Sequence, residues 1–262
     1  VLATEDRRFY EHFGIEQIKS FREFGSRCEG HPERDVATGI EVTTGPLGQG
    51  IANAFGMAVA EACLNARFGD ALVDHRTYAF VGDGCLQEGI GQEAISLAGH
   101  LGLGKLIVFY DDNSITIDGP TSVSFSEDVP ARLRACGWHV VSCDGHDGNA
   151  LDKAIVEAKA ETGKPSMIAM KTVIGFGSPN KAGTYSVHGS PLGAAEAALT
   201  KEALGWTSAP FDIPADMKAQ WLEIGARGNA TRKDWEARLN TASPATKAEF
   251  TRRQSHTLPE GY

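Results

Sequence analysis

Positive charge is scarce in this chain of 262 residues: 25 Lys and Arg stand against 34 Asp and Glu, a net charge of −9, and no basic run relieves the deficit. Such a surface argues against nucleic acid and anionic membranes as partners. No apolar stretch approaches about 18 residues, and no positively charged, apolar leader opens the chain, so neither a membrane span nor secretion is expected. Cysteine is sparse too. Five of them, an odd number without a C-x-x-C pair, read as reduced thiols of a cytoplasmic protein and not as a disulfide frame or zinc site. There is no internal repeat and no low-complexity segment. The chain also lacks an initiating Met; from its start at Val1 we expect a sequence that begins inside a longer protein or behind a processed end.

What is present is organised around residues 76 to 119. Tyr78-Ala79-Phe80-Val81 is a short apolar run that stops at Gly82-Asp83-Gly84, and Leu106-Ile107-Val108-Phe109-Tyr110 is a second that stops at Asp111-Asp112-Asn113. Between them Ile90, Ala94, Leu97, Ala98 and Leu101 recur at helical steps, and Gly102-Leu103-Gly104 closes that helix. Strand, helix and strand make a right-handed βαβ unit with parallel strands. Both strands then end at one edge of the sheet, which brings Asp83 and Asn113 together across 30 positions (113 − 83). Open α/β sheets bind ligands at that edge.

One carboxylate, one amide oxygen and a backbone carbonyl just beyond Asn113, that of Ile115, suit a hard divalent ion, Mg²⁺ or Ca²⁺. Mg²⁺ completes an octahedral shell with water and substrate phosphates, so three protein oxygens imply a diphosphate ligand. Gly82 and Gly84 let backbone N–H groups approach a phosphate without a Cβ in the way, and a helix N-terminus following them adds its positive end. Gly-Asp-Gly alone is also an ordinary turn. The strand-terminal Asn one βαβ unit later is what gives the pattern its specificity.

These residues resemble the thiamine diphosphate motif, and the wording from Gly82 to Gly119 is similar to the transketolase family. Gly30-His31-Pro32-Glu33, the loop from Glu41 to Gly50, and Val187-His188-Gly189-Ser190-Pro191 agree with it. The resemblance implies a thiamine diphosphate-binding fold: an α/β, doubly wound parallel sheet with helices on both faces. It also implies two-carbon ketol transfer from a ketose phosphate to an aldose phosphate in the pentose phosphate pathway. Gly45 and Leu47 are then expected against the aromatic rings of the cofactor, Gly82, Asp83, Gly84 and Asn113 at its diphosphate, and His31 and His188 near the donor sugar and reacting centre. Glu88 and Glu93, which otherwise simply suit the start of a helix, are expected at the interface of a homodimer, Glu88 with a catalytic proton-relay role. The family's Gly-His-x-Ser segment has no counterpart here; Glu5 to Tyr10 stands in its place, and His12 reads as solvated. Cys85, beside Asp83, reads as a small buried residue.

Further along, a helix near Val129 to Cys136, a strand Trp138 to Cys143, a helix from Asn149 to Glu161 and a strand Ser166 to Thr172 continue the alternation that marks a parallel sheet covered on both faces. His100 and His146 read as structural. A long loop from Val173 to His188, with Ser178, Lys181 and the preceding Lys171 as sources of polar or positive character, leads to Ser190 as N-cap and Pro191 as the first residue of a helix carrying Ala194, Ala195, Ala198 and Leu199. Residues 1–205 are thus expected to form the diphosphate-binding domain. Residues 206–262, with helices around 215–227 and 231–253, are expected to form a connector toward an absent pyrimidine-binding domain, which in this family brings the glutamate that activates the cofactor. Alternatives are dihydroxyacetone synthase, a split transketolase with its second half on another subunit, and a non-catalytic thiamine diphosphate-binding module.

Overall fold

A computed structural model describes residues 14–35, 40–255 and 257–262; Glu5 to His12 lie outside them. Four strands, β1 (Thr77–Gly82), β2 (Leu106–Asp112), β5 (His139–Asp144) and β6 (Ser166–Lys171), form one parallel sheet in the order β1-β2-β6-β5. β3 (Ile115–Thr116) and β4 (Gly119–Pro120) make a small antiparallel pair beyond the end of β2. β2 and β6 lie at the centre, which is why their sequences are apolar on both sides: Leu106, Ile107, Val108, Met167 and Ile168 are all fully buried.

The alternation of those side chains sorts the core into two layers. Leu106, Val108, Tyr110 and Met167 face α2 (Gln49–Phe68), α3 (Gly89–Leu101) and α4 (Val129–Ala135), whose Ile51, Ala54, Ala58, Ile95, Ala98 and Leu133 complete the larger cluster. Ile107, Phe109 and Ile168 face Ala154 and Ala158 of α5 (Gly148–Ala160) on the other side. There α5 covers β5 and β6, while Tyr78 and Phe80 of the edge strand β1 stay exposed, Phe80 stacked on Phe109 with centroids 4.8 Å apart.

Several expectations need correction. On α3 the inward residues are Gly91, Ala94, Ile95 and Ala98; Ile90, Leu97 and Leu101 are 49%, 45% and 50% exposed. The helix has apolar residues on two sides, and periodicity does not say which side the sheet will take. α2 buries Glu61 among its apolar residues, a carboxylate made tolerable by Lys105 Nζ at 2.7 Å, which also reaches Asp74 at 2.9 Å. Near the start, α1 (Ile15–Lys19) is short; the chain turns at Arg22, whose φ of 65° is incompatible with helix. α6 (Ala194–Ala203) does not start at Ser190-Pro191, because Gly193 takes φ 83° just before it and the Leu192 carbonyl accepts from Lys181 Nζ at 2.8 Å. Its buried residue is Glu196, while Leu199 is exposed.

The C-terminal helices also divide differently. α7 (Ala215–Thr241) runs unbroken through Gly228, and the break falls at Ala242-Ser243, before α8 (Pro244–Gln254). Glycine inside a helix costs about 1 kcal/mol, whereas Pro244 is tolerated only in a first turn, here capped by Ser243 Oγ accepting from Thr246 N–H at 3.1 Å. α8 and the end of α7 fold back onto the end of α2, where Phe250, Trp235 and Leu239 pack on Leu72 and Val73.

Candidate cofactor and metal site

At the carboxyl ends of β1 and β2 lies a cleft of about 820 Å³, within the range of small-molecule and cofactor sites. Parallel pairing puts Gly82 opposite Asp111, so the two strand ends reach the same edge. Asp83 follows at once, only 4% exposed. Its carboxylate accepts from the Tyr110 hydroxyl, and from the Ser114 N–H at 3.1 Å. Burial pushes the Asp83 carboxyl above its usual range, with Asp112 and Asp111 adding to the rise against the pull of the Tyr110 and Ser114 hydrogen bonds. Burial, then the Asp83 charge, push the Tyr110 phenol up, so it stays a donor.

Asn113 is oriented by its neighbours. Its Nδ2 donates to Asp111 Oδ2 at 3.2 Å, and its Oδ1 accepts from the Ile115 N–H at 2.9 Å. Asp111 is itself held by the Thr172 hydroxyl. Between them Ser114 takes φ 63°, an αL conformation that costs a non-glycine residue about 1 kcal/mol or more. That turn aims the Ser114 N–H at Asp83, while its carbonyl accepts from Thr121 N–H at 3.0 Å.

The other expected residues line the same cleft. Leu47, half exposed, touches the position where a Gly84 side chain would begin, and Gly45 leaves room only for the His31 ring beside it. Gly48, with φ 82°, starts α2 and lies so close to Glu88 that a Cβ there would sit 2.7 Å from the Glu88 Cβ. Glu88 is the N-cap residue of α3 without capping it by its side chain. Beyond Gly82 a Cβ would meet nothing within 4 Å: the strand end opens on free space. Across the cleft, His188 is exposed at the end of a 3₁₀ turn, Tyr185–Val187.

Two expectations about electrostatics are corrected. No α-helix follows Gly84 directly; a 3₁₀ turn, Gly84–Gln87, intervenes, and the first turn of α3 holds no acidic side chain, Glu93 lying further along on its exposed face. Lys171, Lys181 and Ser178 do not reach the cleft. Lys171 is engaged with Asp112 and Ser114, Lys181 with the Leu192 carbonyl and Ser178 with Glu196. His100 is exposed at the end of α3, beside Glu93 and Leu97. His146 has a scaffold contact: its Nε2 accepts from the Val173 N–H at 2.9 Å and its ring stacks on Phe176 at 4.0 Å.

Residues unforeseen in the sequence complete the site. Tyr110 reads there as one more apolar strand residue, and nothing in Asn-Ser-Ile marks Ser114 as left-handed. Ile117, Asp118, Ile174 and Val187 reach the cleft from loops. Among the described residues the lining carries four carboxylates, Asp83, Glu88, Asp111 and Asp118, and neither Lys nor Arg. No three His, Cys, Asp or Glu among the described residues gather as a metal cluster.

Fold and cleft together define a parallel α/β ligand-binding domain whose site is built on the carboxyl edge of its sheet. The chain matches, over residues 8–259, the family described as transketolase, thiamine diphosphate binding domain, and it belongs to that family. It is 57% identical over 239 residues to the transketolase of Cereibacter sphaeroides, which covers 91% of this chain and 36% of that protein. The structure is similar to a transketolase from Leishmania mexicana, with a TM-score of 0.90, 49% identity, and coverage of 94% of this chain and 38% of that one. It is likewise similar to a Pichia stipitis transketolase complexed with sedoheptulose-7-phosphate, with a TM-score of 0.87, 43% identity, and coverage of 94% of this chain and 38% of that one. The chain thus spans little more than a third of the length of these relatives.

Proposed function

We propose that this chain supplies the diphosphate- and metal-binding part of a transketolase site, acting on sugar phosphates as the Pichia stipitis relative binds sedoheptulose-7-phosphate. The observation that carries the reading is the buried Asp83 carboxylate at a strand end, beside a cleft whose described lining is acidic. Asp83, the Asn113 side-chain oxygen and the Ile115 carbonyl would hold Mg²⁺ or Ca²⁺, and the cation would neutralise a diphosphate lying against Gly82 and Gly84. Gly45 and Leu47 offer backbone and a half-exposed apolar side chain to a flat ring. His31 and His188 flank the opening, where each can hydrogen-bond a sugar hydroxyl or exchange a proton. Thiamine diphosphate, when bound, supplies the electron sink for two-carbon transfer, while the protein orients and stabilises the reacting groups.

Residues 206–262 serve in this reading as the connector toward a pyrimidine-binding domain or subunit, following a diphosphate-binding domain of residues 1–205. A cytoplasmic homodimer is part of this reading, and the three exposed apolar residues on α3, Ile90, Leu97 and Leu101, support its packing through that helix. Glu88 and Glu93 then lie on the helix that faces the second copy. Among the described residues no helix is long and apolar enough to cross a membrane.

Titration calorimetry with thiamine diphosphate tests the reading. Binding is expected only when Mg²⁺ or Ca²⁺ is present, and Asp83→Ala is expected to lose it; unchanged binding in that variant would refute the assignment.

A further inference from the structure

One wall of the cleft has no regular secondary structure to hold it. Residues 172–193, between β6 and α6, form a single 3₁₀ turn and are otherwise irregular, yet they bring Ile174, Val187 and His188 to the cleft. A segment of this length keeps one shape only if something inside it replaces the missing ladder.

That replacement is a buried carboxylate. Glu196, in the first turn of α6, is 8% exposed and accepts from the Ser178 hydroxyl, from the Asn180 N–H at 2.8 Å and from Asn180 Nδ2 at 2.9 Å. Ser178, itself buried, accepts in turn from the Lys181 N–H at 3.2 Å. The turn so formed is closed by the Gly183 N–H donating to the Ile174 carbonyl at 2.8 Å, and Ile174 is the residue that faces the cleft. Lys181 Nζ ties the far side to the Leu192 carbonyl. The contacts of His146 with Val173 and Phe176 pin the segment where it leaves the sheet, and Arg22 Nη1 donates to the Gly189 carbonyl at 3.2 Å where it leaves the cleft.

We propose that Glu196 is a positioning residue: its buried carboxylate gathers Ser178 and Asn180 so that the segment from 173 to 189 stands as a preformed wall, with Ile174 and His188 set for the ligand. Glu196 touches neither ligand nor cleft. Its hydrogen bonds with Ser178 and Asn180 hold its carboxyl well below the ordinary range, at about 2, so the hub is ionised at neutral pH. The inference rests on the cofactor reading above for the identity of the ligand, but not for the state of the wall.

The test compares the whole chain with Glu196→Ala and Glu196→Gln. Amide hydrogen exchange is followed by peptide mass spectrometry without ligand, and thiamine diphosphate binding by calorimetry in Mg²⁺. Glu196→Ala is expected to speed exchange in residues 173–193 at least about tenfold, to leave β2 and β6 protected, and to weaken binding about tenfold, since a wall that must be ordered on binding lowers the apparent affinity. Glu196→Gln keeps one acceptor oxygen for Ser178 and Asn180 N–H, and a turned Asn180 amide can meet its new NH₂; binding within about threefold of the parent is expected. Unchanged exchange in the wall, exchange raised equally in β2 and β6, or a loosened wall with unchanged affinity would each overturn the proposal. If the parent chain itself binds no thiamine diphosphate, the cofactor reading falls, while the exchange arm still decides whether Glu196 sets the wall.

Discussion

The two sides of the cleft are built by different means. Asp83 and Asn113 stand at the ends of neighbouring parallel strands, so although they lie 30 positions apart (113 − 83) the crossover helix and the returning strand bring them together and the pair is delivered by backbone hydrogen bonds. Opposite them, Ile174 and His188 stand on an irregular segment held by side chains from three other places, Glu196, His146 and Arg22. The edge has the sheet behind it, whereas the wall is held chiefly by polar contacts and the stacking of Phe176 on His146. Local stability should follow that difference, since segments with few buried apolar contacts open at lower free energy than core strands.

The sharpest way to break the comparison acts on the edge. Asp83→Ala should reduce cation-dependent thiamine diphosphate binding at least about a hundredfold, with stabilisation by 100 Kd of ligand, about 2.7 kcal/mol in the parent, vanishing from thermal melts. Without ligand, the same variant should change little in stability at neutral pH, because removing the buried charge offsets the loss of the acceptor for the Tyr110 hydroxyl and the Ser114 N–H. Burial raises the Asp83 carboxyl, so its ionised form opposes folding until a cation arrives. A clear loss of apo stability would show that Asp83 belongs to the scaffold.

Next in size is the sheet itself. Leu106→Ala, at a fully buried position in the central strand, should cost about 2–5 kcal/mol in urea unfolding. It should loosen the edge and the wall together, whereas Glu196→Ala should loosen the wall alone. Gly99→Ala should be harmful for a different reason: a Cβ there would fall 1.8 Å from the Cys136 carbonyl oxygen, a backbone clash, and overpacking of that kind costs about 1–3 kcal/mol. A melting temperature unchanged in Gly99→Ala would mean that α3 and the end of α4 are not so closely joined.

A smaller effect is expected at the outer face of α3. Leu97→Glu, at a position already 45% exposed in one copy, should leave the melting of a single chain nearly unchanged but weaken self-association about tenfold or more in light scattering. Equal molecular mass for parent and variant at every concentration would remove α3 from the interface.

The smallest effect is one of pH, and its sign differs between the two sides. Glu196 has its carboxyl lowered to about 2 from the ordinary 4.5, so its contribution is complete above that ordinary value and is lost as pH falls toward 2. Asp83 has its carboxyl raised, so acid relieves it. Hydrogen exchange between pH 5 and 2 should therefore show the wall loosening ahead of the edge, and the difference between the parent and Glu196→Gln should shrink as pH approaches 2. Glu249, held low by Arg252 and Arg253 in α8, titrates in the same range and belongs to both proteins alike, so it cancels in that difference.

Much of the edge could be read before any coordinates. Two apolar runs ending in Gly82-Asp83-Gly84 and Asp111-Asp112-Asn113 suffice for it, because side-chain burial dictates the strands and chirality dictates the handedness of the crossover. The alternation of strand and helix through Lys171 followed from the same local rules. Tertiary structure alone decided which side of α3 turned inward, since Ile90 and Leu97 are as apolar as Ile95. It also decided that Ser114 would turn left-handed, a strain tolerated because the Asp83 carboxylate and Thr121 both claim its backbone. Most of all it decided the wall: Glu196 looks in sequence like one more solvated helix residue, and becomes a hub only because the chain returns after residue 172 to place Ser178 and Asn180 against it. Hydrogen-bonded hubs between residues 16 or 18 positions apart leave no periodic trace, whereas apolar burial writes one into every strand and helix.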